Sequence, residues 1–429
     1  MGSVKDLIQD GELARTLLTR PFTYDFGMGP WAVSGRFSVG DLKKLIPESE
    51  IKDKAEALTM STGAFFEWLA QTHPDIPTCY VGVADRDGRL TTVGDLVARG
   101  DRTNIIVMKL AHVPESYCGG DLVKYRQAIS SGELQCGVAD VESIFRHGFP
   151  LGSSTFEKIF KAVYGDEDGQ KRYDALATYD ETVAALDQIR AIVAGNGVMS
   201  SGLEKLLKKS QLKSIPNPGF VLKGIVYNST SKFEIGGDRD LTHEEEVAFS
   251  GLSKEGYALW AEKMFPELAQ AQIAYCDERG IVNIDGKCEC VAYRRMPVVA
   301  DFACTVDENR LMLEVEVDGV RWAIPSNKEI QRAIFRQEGV YAAINEAKRR
   351  ATSGGNKDSW REYMPAVLQE KNIDLAAITE HSCNLMSNAI GEVANRMLGK
   401  PVFDAPPMES WVRGFLPYAS KIERQQEAA

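Results

Sequence analysis

The stretch Ile281-Val282-Asn283-Ile284-Asp285-Gly286-Lys287-Cys288-Glu289-Cys290-Val291-Ala292-Tyr293 decides how this chain reads. It reads as a strand, and on a strand residues two apart share a face. Lys287 and Glu289 therefore point one way, and Cys288 and Cys290 share the other. A lysine and a carboxylate on one face form either a surface ion pair or part of a phosphate and metal site. Pro297 to Thr305 reads as the paired strand and brings Asp301 across from Glu289. Two converging carboxylates repel unless a cation lies between them. Mg²⁺ held by one or two carboxylates plus phosphate oxygens is the usual nucleotide arrangement. Lys287 would then neutralise phosphate charge.

Outward from this pair, Leu311 to Ile324 reads as a hairpin closed at Asp318-Gly319. Lys254 to Glu278 reads as an amphipathic helix, with Leu259, Trp260, Met264, Leu268 and Ile273 on or near one face. Phe220 to Tyr227 is strand-like and follows a break at Pro216 and Pro218. Residues 155–215 are helical and polar, and Lys205, Lys208, Lys209 and Lys213 form a solvated face. Residues 116–140 read as a loop with one short helix. Nearer the start, Lys54 to Thr72 has helical spacing, and Cys79 to Ala84 with Leu90 to Val93 forms a hairpin about Asp87-Gly88. Asn104 to Leu110 is a buried strand carrying Lys109. From Asn327 onward the chain is helical, with Thr379 as N-cap of a helix ending near Gly399. Lys421 to Ala429 reads as a frayed end.

The 429 residues suggest two or three domains, and 44% apolar with 26% charged residues is ordinary for a soluble globular protein. Fifty Lys and Arg against 61 Asp and Glu give a net charge of −11, which argues against nucleic acid as the main partner. A polyanionic substrate must then be held by local lysines and arginines. No apolar run approaches the ~20 residues of a membrane span, and Met1 to Arg20 lacks a signal peptide's apolar core. The eight cysteines include no C-x-x-C pair, and the five histidines offer no matching zinc ligands. Cys288 and Cys290 read as buried thiols, and the cytoplasm as the compartment.

Other segments carry weaker signals. Asp307 and Arg310 read as a turn pair or as a phosphate grip. Lys232 and Asp238 flank a Gly236-Gly237 turn. Gly152-Ser153-Ser154 before a helix offers an N-cap serine or an anion site. Arg146, four residues after Glu142, reads as a salt bridge or a substrate contact. His147 reads as a surface histidine or a further substrate contact.

The order of these segments resembles the SAICAR synthetase family (phosphoribosylaminoimidazole-succinocarboxamide synthase). Glu142-Ser143-Ile144-Phe145-Arg146 leading to Gly152-Ser153-Ser154 is similar to its E-x-x-x-R…G-S segment. Ser231-Lys232-Phe233-Glu234 with Asp238 is similar to its T-K-x-E…D segment, and Asp285-Gly286-Lys287-Cys288-Glu289 to its D-x-K-x-E segment. Asp301, Asp307 and Arg310 resemble the D…D-x-x-R segment, and Asn327-Lys328 through Arg332 the D-K-x-x-x-R segment. Upstream, Arg36 and Asp41 sit in a stretch similar to D-R-x-S-x-x-D. The likeness runs from about residue 34 to 332, and this chain is longer than typical members.

The resemblance implies an α+β, two-lobed fold of antiparallel sheets with helices, an ATP cleft between the lobes, and extra helices. Residues 1–112 would form the N-terminal lobe, 113–326 the central lobe with the site, and 327–429 a helical segment packed on it. It implies an ATP- and Mg²⁺-dependent ligase joining the carboxylate of carboxyaminoimidazole ribonucleotide to the amine of aspartate. Arg20, Lys109 and Lys287 would face ATP, and Glu289 and Asp301 would hold Mg²⁺. Lys232, Asp238 and Lys287 would act at the reacting carboxylate. Arg36, Asp41, Arg146, Ser153, Ser154, Asp307, Arg310, Lys328 and Arg332 would bind the ribonucleotide. The implied partners are small molecules, with no nucleic acid and no membrane, and a homo-oligomer is left open. Two other readings stay open: a divergent ligase using another amino acid or nucleotide-like acid, and a non-catalytic nucleotide-binding relative.

Overall fold

The computed structural model describes residues 27–32 and 51–424, apart from 177, 197–199, 235–238, 327 and 356–359. The chain is α+β, built on two sheets. The first part holds β1 (Gly27–Ala32), α1 (Lys54–Thr72), β2 (Tyr80–Ala84), β3 (Leu90–Thr91), α2 (Val93–Arg99) and β4 (Ile105–Leu110). Its four strands pair antiparallel in the order β1-β4-β2-β3. The expected helix over Lys54–Thr72 forms with those bounds and buries Leu58, Phe65, Phe66 and Leu69. The expected hairpin also forms, because Asp85 Oδ1 accepts from the N–H groups of Asp87 and Arg89 and fixes the turn. Its second strand stops short of Val93. Thr92 Oγ1 accepts from Asp95 N at 3.0 Å and caps α2, so Val93 opens a helix instead.

The middle of the chain holds α3 (Pro114–Cys118), α4 (Leu122–Ser131) and β5 (Cys136–Phe149). Residues 116–140 are therefore two helices and a strand start rather than a loop with one helix. Asp121 caps α4 by accepting from Lys124 N. Four helices follow, α5 (Ser154–Tyr164), α6 (Asp166–Asp174), α7 (Tyr179–Asn196) and α8 (Ser201–Lys209), ahead of β6 (Phe220–Thr230). The lysines of α8 face solvent as expected, while Leu203 and Leu207 are buried. Then come α9 (His243–Ser250), α10 (Lys254–Ala258) and α11 (Phe265–Asp277). Between α10 and α11 a π-helical turn, Leu259–Met264, replaces the regular helix just ahead of Pro266, which has no N–H to donate. It aims Trp260 inward, where its indole donates to Ser143 Oγ at 3.0 Å.

The second sheet adds β7 (Ile281–Tyr293), β8 (Met296–Ala300), β9 (Asn309–Val317) and β10 (Val320–Pro325). The strand expected to reach Thr305 ends at Ala300. Asp301 and Cys304 both take left-handed backbone, at φ 63° and 58°, and turn the chain out of the ladder. The C-terminal part holds α12 (Lys328–Gln337), α13 (Val340–Ser353), α14 (Trp360–Glu370), α15 (Leu375–Leu398), α16 (Met408–Phe415), β11 (Ser420–Lys421) and β12 (Glu423–Arg424). Thr379 is not an N-cap. Asp374 caps α15, and Thr379 lies inside it with its hydroxyl donating to Leu375 O at 2.7 Å. Gly399, at φ 67°, ends that helix as expected.

The strand order is β11-β10-β9-β7-β5-β6-β12, with β8 on β7. Only Ile422 separates β11 from β12, so one short strap pairs with β10 on one side and β6 on the other. Gly219 makes this possible, because at φ 87° a Cβ there would strike the carbonyl of Lys421. Of residues 421–429, expected to fray, 421–424 are thus held at the sheet, and 425–429 lie outside the described residues. The main apolar core runs from Phe65 and Leu69 through Leu268 and Leu311 to Ile390 and Phe415. A second cluster, including Phe149, Phe156, Ile189 and Leu203, fixes α5 to α8 over β5 and β6. Among the described residues, no helix is long and apolar enough to cross a membrane.

Candidate active site: a cleft between the sheets and a charged sheet face

A cavity of about 260 Å³ opens where the two sheets meet. Cys79 N donates to Val299 O at 2.8 Å and Lys109 N to Cys79 O at 2.7 Å, which ties the sheets together along its wall. The apolar lining includes Met108, Ala111, Val138, Val291, Ala300 and Phe302. The charged lining is Lys109, Lys232, Glu289 and Asp301. Burial pushes the Cys79 thiol up to about 12, so it carries no thiolate character here.

Glu289 pairs with Ala300 across the β7–β8 ladder, which sets Asp301 just past the end of β8 and beside it. Glu289 is 4% exposed. The ammonium of Lys232 contacts its carboxylate and lies 4.0 Å from Asp301. Burial, reinforced by the charge of Asp301, pushes the Glu289 carboxyl up to about 8, against the pull of Lys232. This donor set fits the protein's share of a Mg²⁺–nucleotide site, in which phosphate oxygens supply further ligands. Among the described residues, no group of three or more His, Cys, Asp or Glu forms a self-sufficient metal site.

Beyond this pair the same sheet face carries alternating charges. The register sets Glu142 opposite Glu289, Ile144 opposite Lys287 and Arg146 opposite Asp285. Lys287 bridges Glu142 at 2.6 Å and Glu308 at 2.9 Å, and does not line the cleft. Burial works against its charge, but the two carboxylates outweigh burial and hold the ammonium above its ordinary range. Arg310 contacts Asp285, while Asp307 pairs with Lys54 at 2.9 Å. The Asp307–Arg310 turn pair does not form, because the turn points the two side chains to different neighbours. Nor does Glu142 pair with Arg146, since both lie on the extended strand β5, where four residues span about 13 Å.

Arg146 leads into a second, smaller pocket of about 70 Å³, lined by Thr155, Lys158, Lys209, Asn228 and Asp240 among others. Its Nη1 donates to Thr155 Oγ1 at 2.8 Å, and its Nε is buried without a hydrogen-bond partner. Burial lowers its pKa, with Asp285 opposing and Arg310 adding to the effect. Ser153 caps α5 through Thr155 N at 3.3 Å and is buried, while Ser154 is exposed on the first turn. Lys209 reaches Asp240 at 3.1 Å. His147 is not a surface histidine: its Nδ1 lies 3.3 Å from Asn283 O and burial lowers its pKa.

The structure thus gathers Lys109, Lys232, Glu289 and Asp301 at the cleft, and Lys287, Arg310 and Arg146 along the adjoining face. Lys328 and Arg332 lie on α12, and nothing is described of their side chains. Arg20, Arg36, Asp41 and Asp238 lie outside the described residues. Two contributors had no sequence signal. Asp140 is fully buried and accepts from the N–H groups of Lys232 and Phe233. Glu308 is the second carboxylate on Lys287. Their partners stand 92 and 21 residues away, and spacing reveals no such contact. Cys288 and Cys290 are buried thiols as expected.

Comparison with protein families finds no matching family model, and comparison with curated proteins finds no match. The solved structures this chain resembles are SAICAR synthetases. The enzyme of Pyrococcus horikoshii OT3 is 13% identical, over 75% of this chain and 93% of that one, at a TM-score of 0.40. The SAICAR synthase of Saccharomyces cerevisiae, solved with SAICAR, is 12% identical over 88% of this chain and 91% of that one, at 0.44. A SAICAR synthetase solved with ADP is 13% identical over 75% of this chain and 91% of that one, at 0.40.

Proposed function

We propose that this chain is an ATP- and Mg²⁺-dependent ligase. It would join the carboxylate of carboxyaminoimidazole ribonucleotide to the amine of aspartate, giving SAICAR, ADP and phosphate. One observation carries the reading: an apolar cleft with a charged lining adjoins a sheet face of alternating lysine, arginine and carboxylate charges, which leads to a second polar pocket. Such a row suits two anionic substrates meeting end to end. The ordered run of motifs from Arg36 to Arg332 supports the same class.

A free carboxylate is a poor electrophile. Its oxygen attacks the γ-phosphorus, ADP leaves, and an acyl phosphate forms. The aspartate amine then attacks the carbonyl carbon, phosphate leaves, and the amine loses its proton. Neither step needs a nucleophilic side chain; both need alignment and charge neutralisation. Lys109 and Lys232 would meet nucleotide phosphate. Glu289 and Asp301 would hold Mg²⁺, which offsets phosphate charge when bound. Arg146 and Arg310 would take the ribonucleotide, and Lys287 would keep Glu142 and Glu308 from repelling it. Lys209, at the end of α8, and Asp240, in the segment after β6, both line the second pocket. They favour, as a second reading, a ligase of the same chemistry with another nucleotide-like acid or amine.

Incubation with ATP, Mg²⁺, carboxyaminoimidazole ribonucleotide and aspartate, followed by ADP and product mass, tests this. A succinocarboxamide that disappears in Glu289→Ala and Lys287→Ala supports the first reading. ADP formed only with other acids or amines supports the second. ATP bound with no turnover under any mixture sinks both.

A further inference from the structure

We infer that Asp140 is a positioning residue that holds the lysine of the cleft, Lys232, in place. Asp140 sits on β5 with no exposure at all. Its Oδ1 accepts from two consecutive backbone donors, Lys232 N at 3.0 Å and Phe233 N at 2.7 Å. Its Oδ2 takes Arg126 Nε at 2.7 Å, and the Arg126 fork also contacts it through Nη2. Arg126 reaches on to Glu234 at 3.1 Å and lies over the Phe249 ring, 3.5 Å from its centroid.

A buried carboxylate is costly unless paired and hydrogen-bonded. Here it is both: it takes the amides of Lys232 and Phe233 in the turn after β6, and its arginine partner Arg126 reaches on to Glu234 in the same turn. The lysine's backbone is thus pinned from the sheet while its ammonium extends to Glu289. Two consecutive amides on one oxygen fix the direction in which the Lys232 side chain leaves the turn. A neutral asparagine keeps an acceptor for the amides but turns N–H groups toward the arginine fork, donor against donor. The expected result is a loosened turn and a lysine freed from Glu289. Only the kinetic arm of the test rests on the ligase reading; the geometric arm stands without it.

The experiment is acylation of the intact full-length protein with a small N-hydroxysuccinimide ester, without nucleotide, read by peptide mass spectrometry. In Asp140→Asn the labelling rate of Lys232 should rise at least fivefold over the original protein, with Lys371 as an unchanged internal reference. If Asp140→Asn does not fold, Arg126→Gln reads the same clamp from the other side and should raise Lys232 labelling at least twofold. Should either folded variant lose thermal stability while Lys232 labels at the original rate, Asp140 is only a core stabiliser and the inference is overturned. Where the original protein turns over ATP, Asp140→Asn should lower kcat at least tenfold with KM for ATP within twofold. Absence of turnover in the original protein would count against the ligase reading alone, since the labelling result is independent of it.

Discussion

The ammonium of Lys287 lies 2.6 Å from Glu142 Oε1, although the two residues are 145 positions apart and sit on neighbouring strands. With Glu308 at 2.9 Å on its other side, this lysine holds two largely buried carboxylates together. Replacing it by methionine keeps the stem but leaves both acids without a counter-charge. Breaking a buried pair from one side costs about 3–5 kcal/mol; partial exposure here places the expected loss near the lower end. A urea melt of Lys287→Met should show it, and Glu142→Gln in the same background should restore part of the loss.

Gly286 sits between Asp285 and Lys287, and a Cβ there would press on Asn309 Nδ2 and stand 2.7 Å from Phe145 Cε1. Neither neighbour has room to retreat, since both are buried. Overpacking of this kind costs about 1–3 kcal/mol. Gly286→Ala should lower the melting temperature and weaken ligand binding together, because the same strand carries Lys287 and Glu289.

Gln272 has no exposure and links three parts of the site. Its Oε1 accepts from Cys304 N at 3.1 Å and from Asn309 Nδ2 at 2.9 Å, and its Nε2 reaches Cys288 Sγ at 3.0 Å. Gln272→Leu leaves the buried Cys304 N–H without an acceptor, a loss of about 1–3 kcal/mol. Hydrogen exchange across 301–310 should rise well beyond the change in global stability. Exchange that tracks only global stability would show that Gln272 does not hold this turn.

Burial lowers the pKa of His147 below its ordinary value. The unfolded chain therefore binds a proton that the folded chain refuses, and stability falls as pH drops below the unfolded value near 6.5. Its contribution is complete above that pH and is lost progressively toward the lowered folded value. Glu289, whose carboxyl burial pushes up to about 8, contributes the opposite sign over the same range, so the histidine's share is read as a difference. Chemical denaturation between pH 5 and 7.5 should show His147→Gln losing less stability than the original protein as pH falls. His112, also lowered by burial, contributes with the same sign as His147.

Local signals carried most of the fold. The Lys54–Thr72 helix, the Asp318-Gly319 hairpin and the Gly399 stop all depend on neighbours within a few residues, and all are legible in the sequence. The misses occur where one side chain chose between local roles. Thr92 caps a helix instead of extending a strand, and Thr379 bonds back to Leu375 inside a helix that Asp374 had already begun. Asp301 lies where the strand stops because its side chain accepts from Phe302 N and supports a left-handed turn. In the site, the shared face of Lys287 and Glu289 was legible from strand periodicity. Their partners were not, because Glu142, Glu308 and Lys232 arrive from other elements and no spacing rule reports such meetings.

The strap of residues 420–424 has a consequence for assembly. A strand edge normally offers a row of unpaired amides and carbonyls to any passing extended chain. In the larger sheet β10 and β6 both spend part of that row on the strap, so neither outer strand presents an unbroken edge. A version of the protein ending at residue 419 would offer both strands to its neighbours at once, and light scattering on warming should detect their cross-pairing.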